Sequence, residues 1–414
     1  MFAELLASFQ QSIIPQALHI GWVLWPVWVP FFSLYIGITR WLKFKRREWI
    51  KAQEVILLEI RFPNEMVKSP VAMEIFLQTL HQPGVGSLTD VYFKGRVRQW
   101  FSLEMVSDGG QVHFYIWLPA KMRGLVESNL YGQFPNIEIH QVPDYTAGIT
   151  YDLNKYKFGK LAHLVLTKAD GYPIKTYIDY GLDKDAKEEY KVDPLATVIE
   201  FLGSLKPGEQ AWIQILLQAH TKEGLKYGRL LTKPDWKAAA KAEIKKIIEK
   251  ETHVKTEKDK PPALTGLTDL QKETVKAIER SLEKTAFDAM IRVVYFAEQS
   301  AFNANNIGGI LGVLKQFSSQ TLNGFKPSQY EYDYPWQDFM DYRKKKNEKR
   351  FLEAYKRRAM FNDPFYHLHD DKPYILTTEE VATLFHFPSS MVAATPTLRR
   401  IPSKKAEAPA NLPV

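Results

Sequence analysis

The chain has 414 residues, 45% of them apolar, enough for two or three modest domains with real cores. It contains no cysteine, which excludes disulfides, thiolate nucleophiles and cysteine-ligated zinc. The formal charge of +8 is concentrated: residues 40–51 hold six basic side chains against Glu48, leaving about +3 elsewhere, too little for a nucleic-acid reading of the whole chain.

That basic cluster (Arg40, Lys43, Lys45, Arg46, Arg47 and Lys51) closes an uncharged run, "IGWVLWPVWVPFFSLYIGIT", over residues 20–39. Twenty helical residues cover about 30 Å, the thickness of a bilayer core. Trp22 and Trp41 sit near the two ends, where amphipathic rings favour the interface, and Trp25 and Trp28 lie within the run. Pro26 and Pro30 are tolerated in a spanning helix. A cleaved signal peptide is disfavoured because residues 1–18 lack Lys and Arg. The expectation is a transmembrane helix at 19–41 with a short extracytoplasmic segment at 1–18. The basic cluster then keeps the bulk of the chain on the cytoplasmic side of the cytoplasmic membrane, single-pass.

From residue 54 the apolar period shortens to two, and Ile56, Leu58, Ile60 and Phe62 share one strand face. Ser69-Pro70 reads as an N-cap and first helical residue, followed by Met73, Phe76, Leu77 and Leu80 at helical spacing. "SDGG" at 107–110 is a hairpin signal between "VRQWFSLEMVS" and "QVHFYIWLP". A second helix from Pro119 and a strand in "NIEIHQV" complete β-α-β-β-α-β, so residues 54–145 are expected as a ferredoxin-like module. The third strand lacks the RNA-recognition signature. Its face bearing His113, Tyr115 and Trp117 reads as a sheet surface covered by something else.

Strands in "KLAHLVLTK" and "PIKTYID", a helix capped at Asp193 and a strand in "EQAWIQILLQAH" open a second α+β module over 158–330. A Lys- and Glu-rich stretch at 221–266 interrupts it as a solvated insertion with some helix. The pattern resumes with a helix at 268–284, a strand at 286–299 and a helix at 301–320. Residues 335–362 are expected as one basic helix with Trp336, Phe339, Met340, Phe351 and Tyr355 on an apolar stripe. Its other face has nine basic against three acidic residues between 341 and 358. A solvated surface is the plain reading. The sharper reading is contact with DNA or acidic lipid, with Lys344, Lys345, Lys346, Lys349 and Arg350 as the candidates for non-specific phosphate contacts. A short helix at 374–388, capped by Thr378, cannot stand alone in water and must pack on the body, on a motor or on both, with Val381, Leu384 and Phe385 as its candidate partner-docking face. Residues 389–414 read as a proline-rich connector.

No P-loop, H-E-x-x-H, G-x-S-x-G or G-x-G-x-x-G is present. "HLHDD" at 367–371 reads as a solvent-facing loop, so no catalytic, cofactor or metal residue is expected and the chain is read as non-enzymatic. Two blocks, "WFSLEMVSDGGQVHFYIWLPAKMRGLVESNLYGQFPNIEI" and "ILTTEEVATLFHFPSSMVAATPTLRRIPSKKAEAPANLP", resemble the N-terminal region of membrane-bound type IV secretion, conjugative DNA-transfer ATPases of uncultured small-genome bacteria. In that family this region of unknown function leads into a FtsK/HerA-type motor. The resemblance runs from about residue 54 to 414, but the motor's Walker motifs are not in this sequence, so no catalytic residue carries over. It implies a membrane-anchored accessory module that docks a separate FtsK/HerA-type ATPase. Membrane lipid, DNA without sequence preference and further copies of the chain are the other expected partners. A membrane-tethered nucleic-acid-binding protein and a structural envelope component are the alternatives.

Overall fold

The structure, a computed structural model, describes residues 19, 22–63, 69–183, 192–228, 235–251, 267–328, 336, 338–362 and 371–388. A long helix, α1 (Trp25–Lys51), precedes two series of elements. The first is β1 (Val55–Arg61), α2 (Pro70–Leu80), the one-turn α3 (Leu88–Tyr92), β2 (Trp100–Asp108), β3 (Gln111–Pro119), α4 (Arg123–Gln133) and β4 (Glu138–Val142). The second is β5 (Tyr156–Leu166), α5 (Pro194–Gly203), β6 (Glu209–Ala219), α6 (Trp236–Glu251), α7 (Asp269–Glu283), β7 (Ala286–Glu298), α8 (Asn305–Gly312) and β8 (Phe325–Pro327). Then come α9 (Tyr342–Lys356), β9 (Tyr374–Thr377) and α10 (Thr378–Leu384).

The fold is α+β. The described strands form one nine-stranded sheet in the order β4-β1-β3-β2-β6-β7-β5-β8, with β9 paired to β7 beside β5. The segments expected as modules at 54–145 and 158–330 share this sheet, joined where β2 runs antiparallel to β6 from Trp100↔Gln218 to Asp108↔Gln210. The strand order on one side of that seam mirrors the order on the other. The halves therefore correspond strand for strand about a pseudo-two-fold axis through Glu104 and Gln214, the midpoint of the seam.

Local signals explain most of the elements. Asp193 Oδ1 accepts the Leu195 N–H at 2.8 Å to cap α5, and Thr268 with Gln271 closes a capping box on α7. Gly109 and Gly110, at φ 57° and 91°, make the two-residue turn of the β2–β3 hairpin, a backbone conformation that glycine adopts without penalty.

The two sheet faces differ in chemistry. One carries a cross-strand row of buried aliphatics, Leu58–Ile116–Leu103–Ile215–Ile291–Leu164. Helices α2, α4, α5, α8 and α10 pack over that side. One register step along, the opposite face carries an equally long polar row, Glu59–Tyr115–Glu104–Gln214–Arg292–His163, and all six residues are buried.

Several expectations are corrected. "PIKTYID" is not a strand: its backbone turns so that the Ile174 and Tyr177 N–H groups donate to Glu380 and Thr383 of α10. The helix expected at 301–320 is confined to Asn305–Gly312 and a single 3-10 turn, Lys315–Phe317. The basic helix begins only at Tyr342, because Met340 and Asp341 adopt left-handed φ values of 54° and 56°. Trp336, Phe339 and Met340 consequently lie off it and are exposed, whereas Phe351 and Tyr355 are buried as expected. The cap of α10 is Thr377, not Thr378, and Tyr374–Thr377 is a strand.

Arg358 should be the residue on which the seam depends most. It donates to both Glu104 carboxylate oxygens at 3.0 Å. Arg358→Met would leave that carboxylate buried and uncompensated, costing about 3–5 kcal/mol by urea unfolding, and adding Glu104→Gln should restore part of the loss.

Candidate interaction surfaces

The polar row is closed by α9 and the segment that follows β4. Glu104 accepts from Ser102 (2.6 Å), Gln214 Nε2 (2.8 Å), Tyr145 OH (2.8 Å) and the Arg358 fork. Arg358 also pairs with Asp144: burial pushes that carboxyl up, but Arg358 and the Thr146 hydrogen bonds together hold it below its ordinary value. Arg292 Nε donates to His163 Nε2 at 3.2 Å, which leaves the His163 Nδ1–H to donate to Asp371 at 3.1 Å. Arg292 also donates to the Ala354 and Ala359 carbonyls around the end of α9. At the outer end of the row burial opposes the Glu59 charge, but His113 and Arg61 bring its pKa down to about 2. Tyr115 stacks on Tyr145 with centroids 5.3 Å apart, so the expected cover over the face with His113, Tyr115 and Trp117 is present. These groups are engaged with one another, and the network works as a joint between the sheet and α9.

The N-terminal helix is the largest apolar surface without cover among the described residues. Trp22 and Phe31 are 75% and 70% exposed, and Trp25, Phe32, Leu34, Tyr35, Ile36 and Trp41 are also exposed, on every side of the helix. The description does not extend to the side chain of Trp28. Toward its C-terminus α1 is fixed: Trp41 Nε1 donates to the Tyr92 carbonyl and Arg46 Nη2 to the Tyr227 carbonyl, each at 2.9 Å. The Lys45 backbone lies so near Gly95 that a Cβ there would come within 2.2 Å of it, at a φ of 70° that itself favours glycine. The basic cluster thus divides. Arg40, Lys43 and Arg47 are exposed, whereas Arg46 ties the helix to the body and Lys45 pairs with Glu48 at 2.8 Å.

The spanning helix expected at 19–41 falls partly outside the described residues, which omit 20 and 21. Among the described residues no helix is long and apolar enough to cross a membrane. The uncharged part of α1, residues 25–39, extends about 22 Å, short of a bilayer core, and its Trp, Tyr and Pro residues are less apolar than aliphatic ones. Residues 1–18 lie outside the described part.

On α9, Lys344, Lys345, Lys346, Lys349 and Arg350 are exposed, while Arg358, counted with them in the sequence, is fully buried. Val381, Leu384 and Phe385, expected to dock a partner, are instead buried in the chain's own core, with the Phe385 ring 5.6 Å from that of Phe114. The "HLHDD" loop lies outside the described residues except for Asp371. Among the described residues no group of three or more His, Asp or Glu could hold a metal ion. The signal for the polar row in the sequence is a polar residue set mid-strand between apolar neighbours, in "LEM", "IQI" and "IRV".

A family comparison covers most of the chain: residues 40–399 match the domain of unknown function DUF8128. The chain belongs to the DUF8128 family. The DUF8128 match begins at Arg40, where the uncharged run ends, and takes in the seam, α9 and α10. No curated protein matches the chain.

Within the DUF8128 body, the C-terminal segment is held partly by charge. Buried His386 faces Asp193 with both carboxylate oxygens at 3.2 Å. Burial works against the imidazolium, but Asp193 and the hydrogen bonds outweigh it and raise the His386 pKa. That contribution is fully present below the unfolded histidine value near 6.5 and is lost as pH rises through the folded value. His386→Ala should therefore destabilise the protein by roughly 2–5 kcal/mol at acidic pH and by clearly less in alkaline buffer. Urea unfolding of both proteins across that range measures the difference.

Proposed function

We propose that the chain is a non-enzymatic, membrane-anchored accessory module of a type IV secretion-like or conjugative DNA-translocation system. It would hold a separate FtsK/HerA-type ATPase at the cytoplasmic face. The observation that carries this reading is α1: apolar side chains exposed all round the helix, followed at once by a basic rim, on a helix rooted rigidly in the body. A helix apolar on every side wants a nonpolar solvent. In this reading the bilayer core is that solvent for the run at 20–39, residues 1–18 lie outside, and the tail after Pro388 reaches the motor. The resemblance of the two sequence blocks to motor-bearing proteins supports the choice of partner. The repeated β-α-β-β-α-β order, with the strands of each half arranged fourth-first-third-second, supports reading each half as a ferredoxin-like unit.

A reporter fused after Val414 should be active only in the cytoplasm, and periplasmic activity would end the anchor reading. Deleting residues 393–414 should leave the fold and membrane attachment intact while abolishing co-purification of the ATPase. Equal recovery of the ATPase with and without the tail would show that residues 393–414 are not the connector.

A further inference from the structure

The outer end of α9 presents a surface that the body of the protein does not use. Phe339, Met340 and Tyr342 are 81%, 76% and 67% exposed. Phe339 and Met340 sit in the turn that leads into α9 and Tyr342 is its first residue, and the first turns of the helix are exposed as well. Residues 342–350 carry six basic side chains against one acid, Glu348, which accepts the Tyr151 hydroxyl at 2.6 Å.

This turn is braced. Met340 and Asp341 both hold left-handed φ values, of 54° and 56°, which non-glycine residues adopt only when their surroundings enforce it. The buried Asp338 carboxylate enforces it by accepting the Arg343 and Lys344 N–H groups at 2.8 Å each. Lys345 Nζ donates to the Met340 carbonyl at 3.0 Å, closing the turn from the helix side. The other end of the helix is fixed in the core through Tyr355 and the polar row. Apolar side chains are therefore held out toward solvent on a rigid arm, with cations directly behind them.

We propose that this tip, residues 339–350, docks on an anionic lipid surface. Phe339, Met340 and Tyr342 enter the interface, and Lys344, Lys345, Lys346, Lys349 and Arg350 meet the headgroup phosphates. Amphipathic aromatic and apolar side chains backed by lysines suit the bilayer boundary, where burial and attraction to anionic headgroups act together. Duplex DNA would use the cations but gain nothing from three projecting apolar groups. Single-stranded nucleic acid prefers a groove with stacking rings, whereas this surface is a projecting tip and one of its three apolar groups is a methionine. The inference goes beyond the anchor reading, since it concerns a different element and holds whether or not α1 enters the bilayer.

The chain has no cysteine, so Met340→Cys in the full-length protein gives a unique site for an environment-sensitive fluorophore. Phe31→Cys in a second preparation reports on α1. Both are mixed with phosphatidylcholine vesicles, with and without about a third phosphatidylserine. The probe at 340 should shift to the blue and be shielded from aqueous iodide on the anionic vesicles only, and high salt should reverse this. Replacing Lys344, Lys346, Lys349 and Arg350 with Gln should raise iodide quenching at least about threefold. These side chains are exposed, so the fold should survive their replacement. A probe at 340 open to iodide on anionic vesicles overturns the proposal, whatever the probe at 31 reports. A response at 340 to duplex or single-stranded DNA, with none to vesicles, also overturns it, in favour of a nucleic-acid contact. The probe at 31 tests α1 separately and should be insensitive to lipid charge.

Discussion

The row of six polar residues across the middle of the sheet constrains everything built around it. Buried polar groups are costly unless every donor and acceptor is met, and a half-satisfied network is worse than an apolar one. An ordinary amphipathic helix could not cover this face. What covers it is α9, which contributes the Ala354 carbonyl and, just beyond its end, the Arg358 guanidinium and the Ala359 carbonyl. Arg358 reaches Glu104 from a backbone φ of 48°, a conformation normally avoided by arginine. The aliphatic row lies one residue away along every strand. A slip of one residue in any pairing would drive a polar group into the helix-covered side. The polar row therefore fixes register across six strands at once, including the β2–β6 seam, where two strands that would each be an edge complete one another.

Much of this architecture was legible locally. The strand periods, the Ser107–Gly110 hairpin and the Ser69 and Asp193 caps are written in a few adjacent residues each, and they fold as read. The misreadings share a cause, which is a backbone or side chain satisfied from far away in sequence. "PIKTYID" has strand composition, but its N–H groups are claimed by side chains about two hundred residues later. Arg358 sits among lysines and arginines and reads as surface, yet its acceptor is Glu104. The break before Tyr342 is the local exception: Asp338 caps from outside the helix, accepting the Arg343 and Lys344 N–H groups. That the two halves share a sheet rests on side-by-side pairing of β2 and β6, which no pattern within either strand announces.

The C-terminal segment shows how a short helix finds its stability. β9 adds to β7 of the second half, while α10 packs on α2 of the first. The rings of Phe385 and Phe387 reach Phe114, Phe62 and Phe134 of the first half, and His386 turns back to Asp193 of the second. Glu380 closes the capping box while accepting the Ile174 N–H at 2.9 Å, and burial pushes its pKa up to about 7 against those hydrogen bonds. Residues 374–388 thus staple the two halves on the helix-covered side, as the polar row does on the other. So short a helix needs a surface to pack on. The partner that packs on its apolar side chains is the chain itself.

Rooting at both ends bears on how such a module could transmit position. α1 leaves the body through contacts that restrict its direction: the Trp41 and Arg46 hydrogen bonds and a backbone approach at Gly95 that admits no side chain. The tail departs just after a segment sewn into both halves. A connector grafted on a loose terminus would let anything attached to it drift, since a flexible chain fixes distance only within broad limits. Here each exit point is continuous with the single sheet whose register the polar row specifies. An attachment at one end therefore holds its orientation relative to the other through hydrogen-bonded strands and buried charge, and not through the length of a linker.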